Sequence, residues 1–206
     1  MGKGRLEGFS DGVMAVAITL LAFNLHAGIR SSVPLAAQFR AQWPSFAAYA
    51  LSFFLIGVIW LNHHYLFQLT AVIDRRLWLY NLLLLLFVAT IPYATATFAD
   101  YASAGGADAR TAVLLYGGVM EGMAVARFLI PLHILRARLN PSPIPPGEAR
   151  KLLFRYGLAV VAFPVITVMA ISISAPIMLA LHASLIGYYL GPAMRPLSER
   201  DPDALA

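Results

Sequence analysis

The sequence contains no cysteine and little charge. Of its 206 residues, only 12% are Asp, Glu, Lys or Arg, and 60% are hydrophobic, whereas soluble domains carry about 25% charged and 45–50% apolar residues. The low charge excludes an ordinary soluble globule, a disordered chain and a basic nucleic-acid-binding module. The lack of cysteine excludes disulfides, a thiolate metal site and a cysteine nucleophile. The composition therefore predicts an integral membrane protein.

Long charge-free segments mark the predicted membrane spans. A helix needs about 20 apolar residues to cross a bilayer core about 30 Å thick. Residues 41–73, 77–99 and 156–194 contain no Asp, Glu, Lys or Arg. The last segment is long enough for two helices, with a break predicted within residues 172–176 because of Pro176. We predict a single-domain, all-α membrane protein with six transmembrane helices, at 8–27, 45–69, 77–99, 111–135, 153–172 and 175–191, and a polar tail at 192–206.

The positions of Lys and Arg predict the orientation in the membrane. Basic residues are enriched in cytoplasmic loops. With six spans, both ends of the chain share one side with eleven basic residues, and three lie on the other side. We therefore expect both termini in the cytoplasm. Glu7 and Asp11 disfavour the alternative that the first span is a cleaved signal peptide.

Several site motifs are missing from the sequence. It has no Gly-rich phosphate loop, no G-x-S-x-G, no H-E-x-x-H and no TVGYG-like segment. We therefore predict no enzyme activity, no cofactor, no resident metal and no re-entrant filter loop of backbone carbonyls. His63 and His64 are adjacent on the second span, so they point to different faces and favour a structural role over a metal site.

Two charged residues, Glu121 and Arg127, lie within the fourth predicted span. Each costs about 2.5–3.5 kcal/mol if it meets lipid at the bilayer centre, so each must face protein or water. Together with His133 they are spread about 120° apart around the helix, so this helix alone cannot bring all three to one site. Two interpretations stay open: paired groups between helices, which is favoured, and the site of a secondary transporter. Gly118 and Gly122 predict the close approach of another helix.

The first span has an apolar stripe with helical spacing. Four residues follow an i, i+4, i+7, i+11 pattern: Val16, Leu20, Phe23 and Ala27. Thr19 lies about 60° from Val16 on the flank of the stripe, and Asp11 lies about 140° from Val16. Such a stripe meets lipid, another helix or a pore, and the periodicity does not choose among these.

The same span carries a specific motif. The run RLEGFSDGVMAVAITLLAF, residues 5–23, resembles the first-helix motif of the transmembrane protein 175 family, the potassium channels of endolysosomes and their prokaryotic relatives. The matching residues are Arg5, Phe9, Ser10, Asp11, Gly12 and Thr19. The run VIWLNHHYLF resembles the family's second helix at Trp60, His63 and Phe67. The run YNLLLLLFVATIPYATATFADY resembles its third helix at Asn81, Leu85, Pro92 and Tyr93.

This resemblance implies a potassium-preferring cation channel with passive flux, located in the inner membrane of a prokaryotic cell. The family's prokaryotic members form homotetramers in the lipid bilayer, and their first helices line the pore. The narrow layers fall at Val16 and Phe23, with Thr19 or Leu20 between them. The residues implied to support the first helix from behind are Arg5, Phe9, Ser10 and Asp11, against Trp60, His63 and Asn81. This chain has Val and Phe where the family usually has Ile or Leu.

Overall fold

The fold is built from helices alone in the part of the chain that the structure describes. The computed structural model describes residues 2–23, 25, 33–101, 105–172 and 175–190, without the side chains of 172–178. These residues form seven helices: α1 (Lys3–Ala22), α2 (Leu35–Ala41), α3 (Trp43–Gln68), α4 (Arg75–Tyr101), α5 (Gly106–Arg136), α6 (Pro146–Ser172) and α7 (Ala175–Leu190).

Helix α5 makes the two most extensive helix–helix contacts in the bundle. It packs against α4 and α6, while α1 packs against α3 and α4, and α7 packs against α3 and α6. Four helices, α3 to α6, are long and apolar enough to cross a membrane. The buried side chains of these helices form one continuous apolar core, which α1 and α7 complete from the sides.

The prediction of six transmembrane helices is wrong, because only these four helices in the described part of the chain have the required length and apolarity. Helix α1 begins at Lys3 and includes four charged residues before Gly12. Its charge-free part therefore extends about 16 Å, roughly half of the bilayer core. Helix α7 has 16 residues and reaches about 24 Å. The orientation with both termini in the cytoplasm depended on six spans and loses its basis.

The helix ends differ from the prediction in places. The structure adds a short helix, α2, that the sequence did not predict. It separates α6, which ends at Ser172, from α7, which begins at Ala175, within the predicted break. Gly105 and Gly106 open α5 with φ angles of 75° and 64°, which side chains with a Cβ rarely adopt. Ala27, the predicted end of the first span, and the tail at 192–206 lie outside the described residues.

Asp74 ties the start of α4 to the end of α5. Its Oδ1 accepts a hydrogen bond of 2.8 Å from the backbone N–H of Leu77, which caps α4. Its Oδ2 lies 2.8 Å from Nε2 of His133 in the last turn of α5. Burial raises the pKa of Asp74, but the hydrogen bonds from Leu77 and His133 outweigh it and hold that pKa below its ordinary value.

Candidate functional site

Helix α1 has one buried face and one exposed face. The buried face contacts α3 and α4 and consists of five residues, each at most 1% exposed: Leu6, Ser10, Met14, Ala17 and Leu21. Their spacing of three or four residues places them on one side of a helix. The opposite side therefore packs against no other helix among the residues that the structure describes.

Three of the stripe residues predicted from the sequence lie on that open side. We call Val16, Leu20 and Phe23 the α1 stripe; their exposed fractions are 57%, 44% and 77%. Thr19 is also exposed, and its hydroxyl donates a hydrogen bond of 2.8 Å to the carbonyl of Val16. Ile18 faces the other way and packs against the core. The bundle thus presents a continuous apolar surface along α1.

A buried polar cluster fixes the opposite face of α1. The amide nitrogen of Asn81 donates a hydrogen bond of 2.9 Å to Oγ of Ser10, and Ser10 donates to the carbonyl of Leu6. The amide oxygen of Asn81 lies 2.7 Å from Nε2 of His63. Because that oxygen only accepts, Nε2 carries the proton. The cluster joins α1, α3 and α4, and it sets the rotation of α1 about its own axis.

A second polar contact joins α1 to α3 outside this buried cluster. Nε1 of Trp60 donates a hydrogen bond of 2.8 Å to Oδ1 of Asp11, and the Trp60 ring stacks on His64. The two adjacent histidines point apart, since His63 is buried and His64 is exposed. Arg5 and Phe9, by contrast, are exposed and lie away from the cluster. Of the residues implied to support α1, the structure therefore brings together Ser10, Asp11, Trp60, His63 and Asn81.

The two charged residues predicted inside the membrane on α5, Glu121 and Arg127, do not form one site. Arg127 is 4% exposed and lies between the rings of Tyr156 and Tyr189. Glu121 is half-buried, and its Oε2 has no hydrogen-bond partner in the described part of the chain. Among the described residues, the recorded ion pair joins His133 to Asp74 and includes neither of them. The arrangement expected of a transporter site between Glu121 and Arg127 is not present in these residues.

Two polar contacts between helices were not predicted from the sequence. Ser52 lies 2.8 Å from Thr95 and 3.4 Å from the hydroxyl of Tyr116, which links α3, α4 and α5. Elsewhere, Arg155 donates a hydrogen bond of 2.9 Å to the side-chain oxygen of Asn62. The sequence shows Ser52, Asn62 and Thr95 as polar residues inside apolar helices. It does not show their hydrogen-bond partners, because each partner lies on another helix.

Comparisons with known proteins bear on the identity of the chain. The family model "Endosomal/lysosomal potassium channel TMEM175" matches residues 5–92. A potassium channel of Streptomyces collinus is 40% identical to the chain over 190 residues, which cover 91% of each protein. The chain belongs to the TMEM175 family. A crystal structure of a lysosomal potassium-selective channel TMEM175 homolog from Chamaesiphon minutus matches with a TM-score of 0.75 and 31% identity, covering 92% of this chain and 98% of that one.

The human relative in the TMEM175 family is more distant. The human protein, named an endosomal/lysosomal proton channel, is 37% identical over 111 residues, and these cover 48% of this chain and 22% of that protein. The part matched by the family model contains α1, α3 and most of α4, and therefore both the α1 stripe and the polar cluster. Family membership and the apolar helices make the chain an integral membrane protein.

Proposed function

We propose that the chain is a subunit of a potassium-preferring cation channel, in which four copies surround a pore lined by α1. The names of the Streptomyces and Chamaesiphon relatives as potassium channels support the ion. The exposed α1 stripe supports the position of the pore, and it is the observation that carries the proposal. In this arrangement the whole chain acts as one channel domain.

The contrast between the two faces of α1 favours a pore over lipid contact alone. The side that packs against α3 and α4 carries a buried polar cluster, so the rotation of α1 is fixed by hydrogen bonds. A helix that only faces lipid needs no such fixed rotation. A pore-lining helix needs a fixed rotation, because even a small rotation would turn all three side chains of the α1 stripe away from the symmetry axis.

The proposed mechanism uses apolar rings in place of a carbonyl filter. Val16 and Phe23 are seven residues apart, so they point in the same direction and lie about 10 Å apart along α1. Four copies stack them as two rings, with Thr19 and Leu20 between. A narrow apolar ring excludes water and stops ions, and a slightly wider one passes a cation that keeps most of its hydration shell. Ions then flow down their gradient without ATP.

The absence of cysteine gives a direct test of the pore face. We expect single-cysteine variants Val16→Cys and Leu20→Cys, reconstituted in liposomes, to lose most of their potassium flux after a small water-soluble thiol reagent is added. Ile18→Cys is the matched control on the same helix, and its flux should stay unchanged because its side chain packs against the core. The unmodified protein should carry more potassium than sodium.

The assembly is tested separately by native mass measurement of the purified protein. The chain has a mass of 22.4 kDa, so a particle of four chains is readily distinguished from a monomer or dimer. A monomeric particle that still conducts, or equal block at Ile18→Cys and Val16→Cys, would remove α1 from the pore. Potassium uptake that required a coupling ion would replace the channel by a transporter.

A further inference from the structure

One end of the bundle carries a cluster of exposed arginines. At this end the segment before α4 meets the end of α5, because the backbone N–H of Ala71 donates a hydrogen bond of 2.8 Å to the carbonyl of Leu139 and Asp74 lies 2.8 Å from His133. Four exposed arginines flank this junction, and we call them the arginine patch: Arg75, Arg76, Arg136 and Arg138. Asp74 is already bound to His133, and its single charge does not neutralise four guanidinium groups.

The positive charge is concentrated at this end of the bundle. The start of α1 lies at the same end, since Nζ of Lys3 donates a hydrogen bond of 3.1 Å to the carbonyl of Thr70, and α6 begins there too. Among the described residues outside the patch, this end has the basic residues Lys3, Arg5, Arg150 and Lys151 and the acids Glu7, Asp74 and Glu148. The described charges of the opposite end balance, with Arg40 and Arg110 against Asp100 and Asp108. An anionic partner is therefore attracted to one end only.

Arg138 occupies a backbone conformation that favours glycine. Its φ angle is 53°, and the N–H of the next residue, Leu139, donates a hydrogen bond of 3.0 Å to the carbonyl of Ile134, which closes the last turn of α5. Glycine is common at this position after a helix, because a Cβ is strained there. The helix end alone therefore does not favour an arginine, whereas a partner for its exposed charge would.

The arginine patch lies at the end of an exposed apolar surface on α4. Arg75 and Leu79 are four residues apart, so they lie on the same side of α4, and Leu86 continues that side two turns further. Leu79 is 48% exposed and Leu86 is 61% exposed. Because α4 is long and apolar enough to cross a membrane, this surface meets acyl chains, and the arginines at its end meet the headgroups. The combination fits an amphiphile better than a soluble anion.

We propose that the arginine patch binds the headgroup of an anionic phospholipid whose acyl chains lie along Leu79 and Leu86. Guanidinium groups donate charge-assisted hydrogen bonds to phosphate oxygens, often in pairs. The net negative charge of the headgroup matches the patch, whereas the ammonium group of a zwitterionic headgroup cancels this attraction. The site lies where α4 begins and α5 ends, and it does not depend on which helix lines the pore.

Thermal unfolding in detergent, with phosphatidylglycerol or phosphatidylcholine added at equal mole fraction, tests the site. A ligand that binds the folded state raises the unfolding midpoint, so we expect a larger, saturable rise with phosphatidylglycerol. Added potassium chloride should reduce this difference, because salt screens exposed charges. The double variant Arg75→Gln/Arg138→Gly should lose most of the difference. Arg110→Gln, which removes an exposed arginine from the other end of α5, should keep it.

Arg138→Gly alone separates a binding role from a structural one. Without anionic lipid its midpoint should stay equal or rise, since glycine suits the φ angle, yet its response to phosphatidylglycerol should be smaller. Equal midpoints with the two lipids, a full lipid response in the double variant, or a difference that salt does not reduce would each overturn the proposal. So would an equal rise with inorganic phosphate, because the site would then hold a soluble anion. If the double variant does not fold, the single variant and the salt dependence decide.

Discussion

Asn81 uses both ends of its amide inside the protein. It donates to Ser10 on α1 and accepts from His63 on α3, and all three side chains are buried. Asn81→Leu keeps the volume but removes both hydrogen bonds. We expect a loss of about 1–3 kcal/mol in the free energy of unfolding for each buried partner left unpaired. Denaturant unfolding in detergent measures it.

Thr90→Ala is the matched control for Asn81, because Thr90 lies on the same helix, is only partly buried, and its hydroxyl donates a hydrogen bond within that helix, to the carbonyl of Leu86. Its stability should change by less than about 0.5 kcal/mol. If Asn81→Leu were as stable as this control, hydrogen bonds would not determine the rotation of α1.

The contact between Asp11 and Trp60 is weaker, because both side chains are exposed. We expect Asp11→Ala to lower the free energy of unfolding by about 0.5–1.5 kcal/mol and to weaken assembly. A double-mutant cycle with Trp60→Phe isolates the pair. Normal stability and assembly together with altered ion selectivity would instead mean that Asp11 faces the ions.

The motif in the sequence identified these residues, but it did not give the face of α1 on which each one lies. The resemblance named His63, Asn81 and Trp60 as partners of the first helix, and the structure brings them to Ser10 and Asp11. It also named Arg5 and Phe9, which lie on the exposed side. The fixed spacing of the polar residues in the motif indicates that they have a specific role. The face of α1 on which each one lies depends on how α1 packs against α3 and α4.

At the scale of helices, α5 approaches its neighbours closely at two glycines, and the spacing identified only one of them. The pattern predicted Gly118 and Gly122. A Cβ at Gly122 would overlap with the Phe87 ring and one at Gly117 with Thr167, but a Cβ at Gly118 meets nothing within 4 Å. A four-residue spacing describes one face of a helix, and α5 is contacted on two faces, by α4 and by α6.

Alanine substitutions at two adjacent glycines of α5 should therefore have different effects on stability. We expect Gly117→Ala to lower the free energy of unfolding by about 1–3 kcal/mol, because α6 must shift away from the added methyl group. Gly118→Ala, one residue away, should leave stability unchanged or raise it by up to about 1 kcal/mol through helix propensity. Thermal unfolding of both variants checks this. Equal losses would show that chain flexibility, rather than the contact with Thr167, is decisive.

The junction of α3, α4 and α5 predicts a dependence on pH. The pKa of Asp74 lies below its ordinary value of 3.8 in the folded protein, so the folded state favours the ionised form. This contribution is fully present above about pH 4 and is lost as the pH falls through the lower, folded-state pKa. Asp74→Asn keeps a capping side chain but should remove this acid-dependent loss. Unfolding midpoints between pH 3 and pH 6 measure it, and an unchanged profile would contradict it.

The number of transmembrane helices depends on where each helix begins and ends, which composition does not show. Apolar content predicted α3 to α6, where charge-free segments are long. It failed at α1, because a helix continues through Lys3, Arg5 and Glu7, and a hydropathy pattern does not record where a helix begins. It failed at α7, because an uncharged segment of sufficient length was divided into one long and one short helix.

For the whole molecule, the main expectation concerns Phe23, the most exposed member of the α1 stripe. Phe23→Ala widens the proposed ring, and a wider apolar constriction holds water more readily. We therefore expect a higher cation flux and a lower preference for potassium over sodium, measured in liposomes with the two ions on opposite sides.

Two variants make this test specific to the pore. Phe154→Ala removes an equally large and similarly exposed ring from α6, at 68% exposure, and should leave flux and selectivity unchanged. Ile18→Val trims the core-facing side of α1 and should affect stability more than flux. If Phe23→Ala and Phe154→Ala responded alike, the change would reflect lost apolar surface in the bilayer, and the α1 stripe would be a lipid-facing surface. A response confined to Phe23 requires that α1 surround the path of the ions.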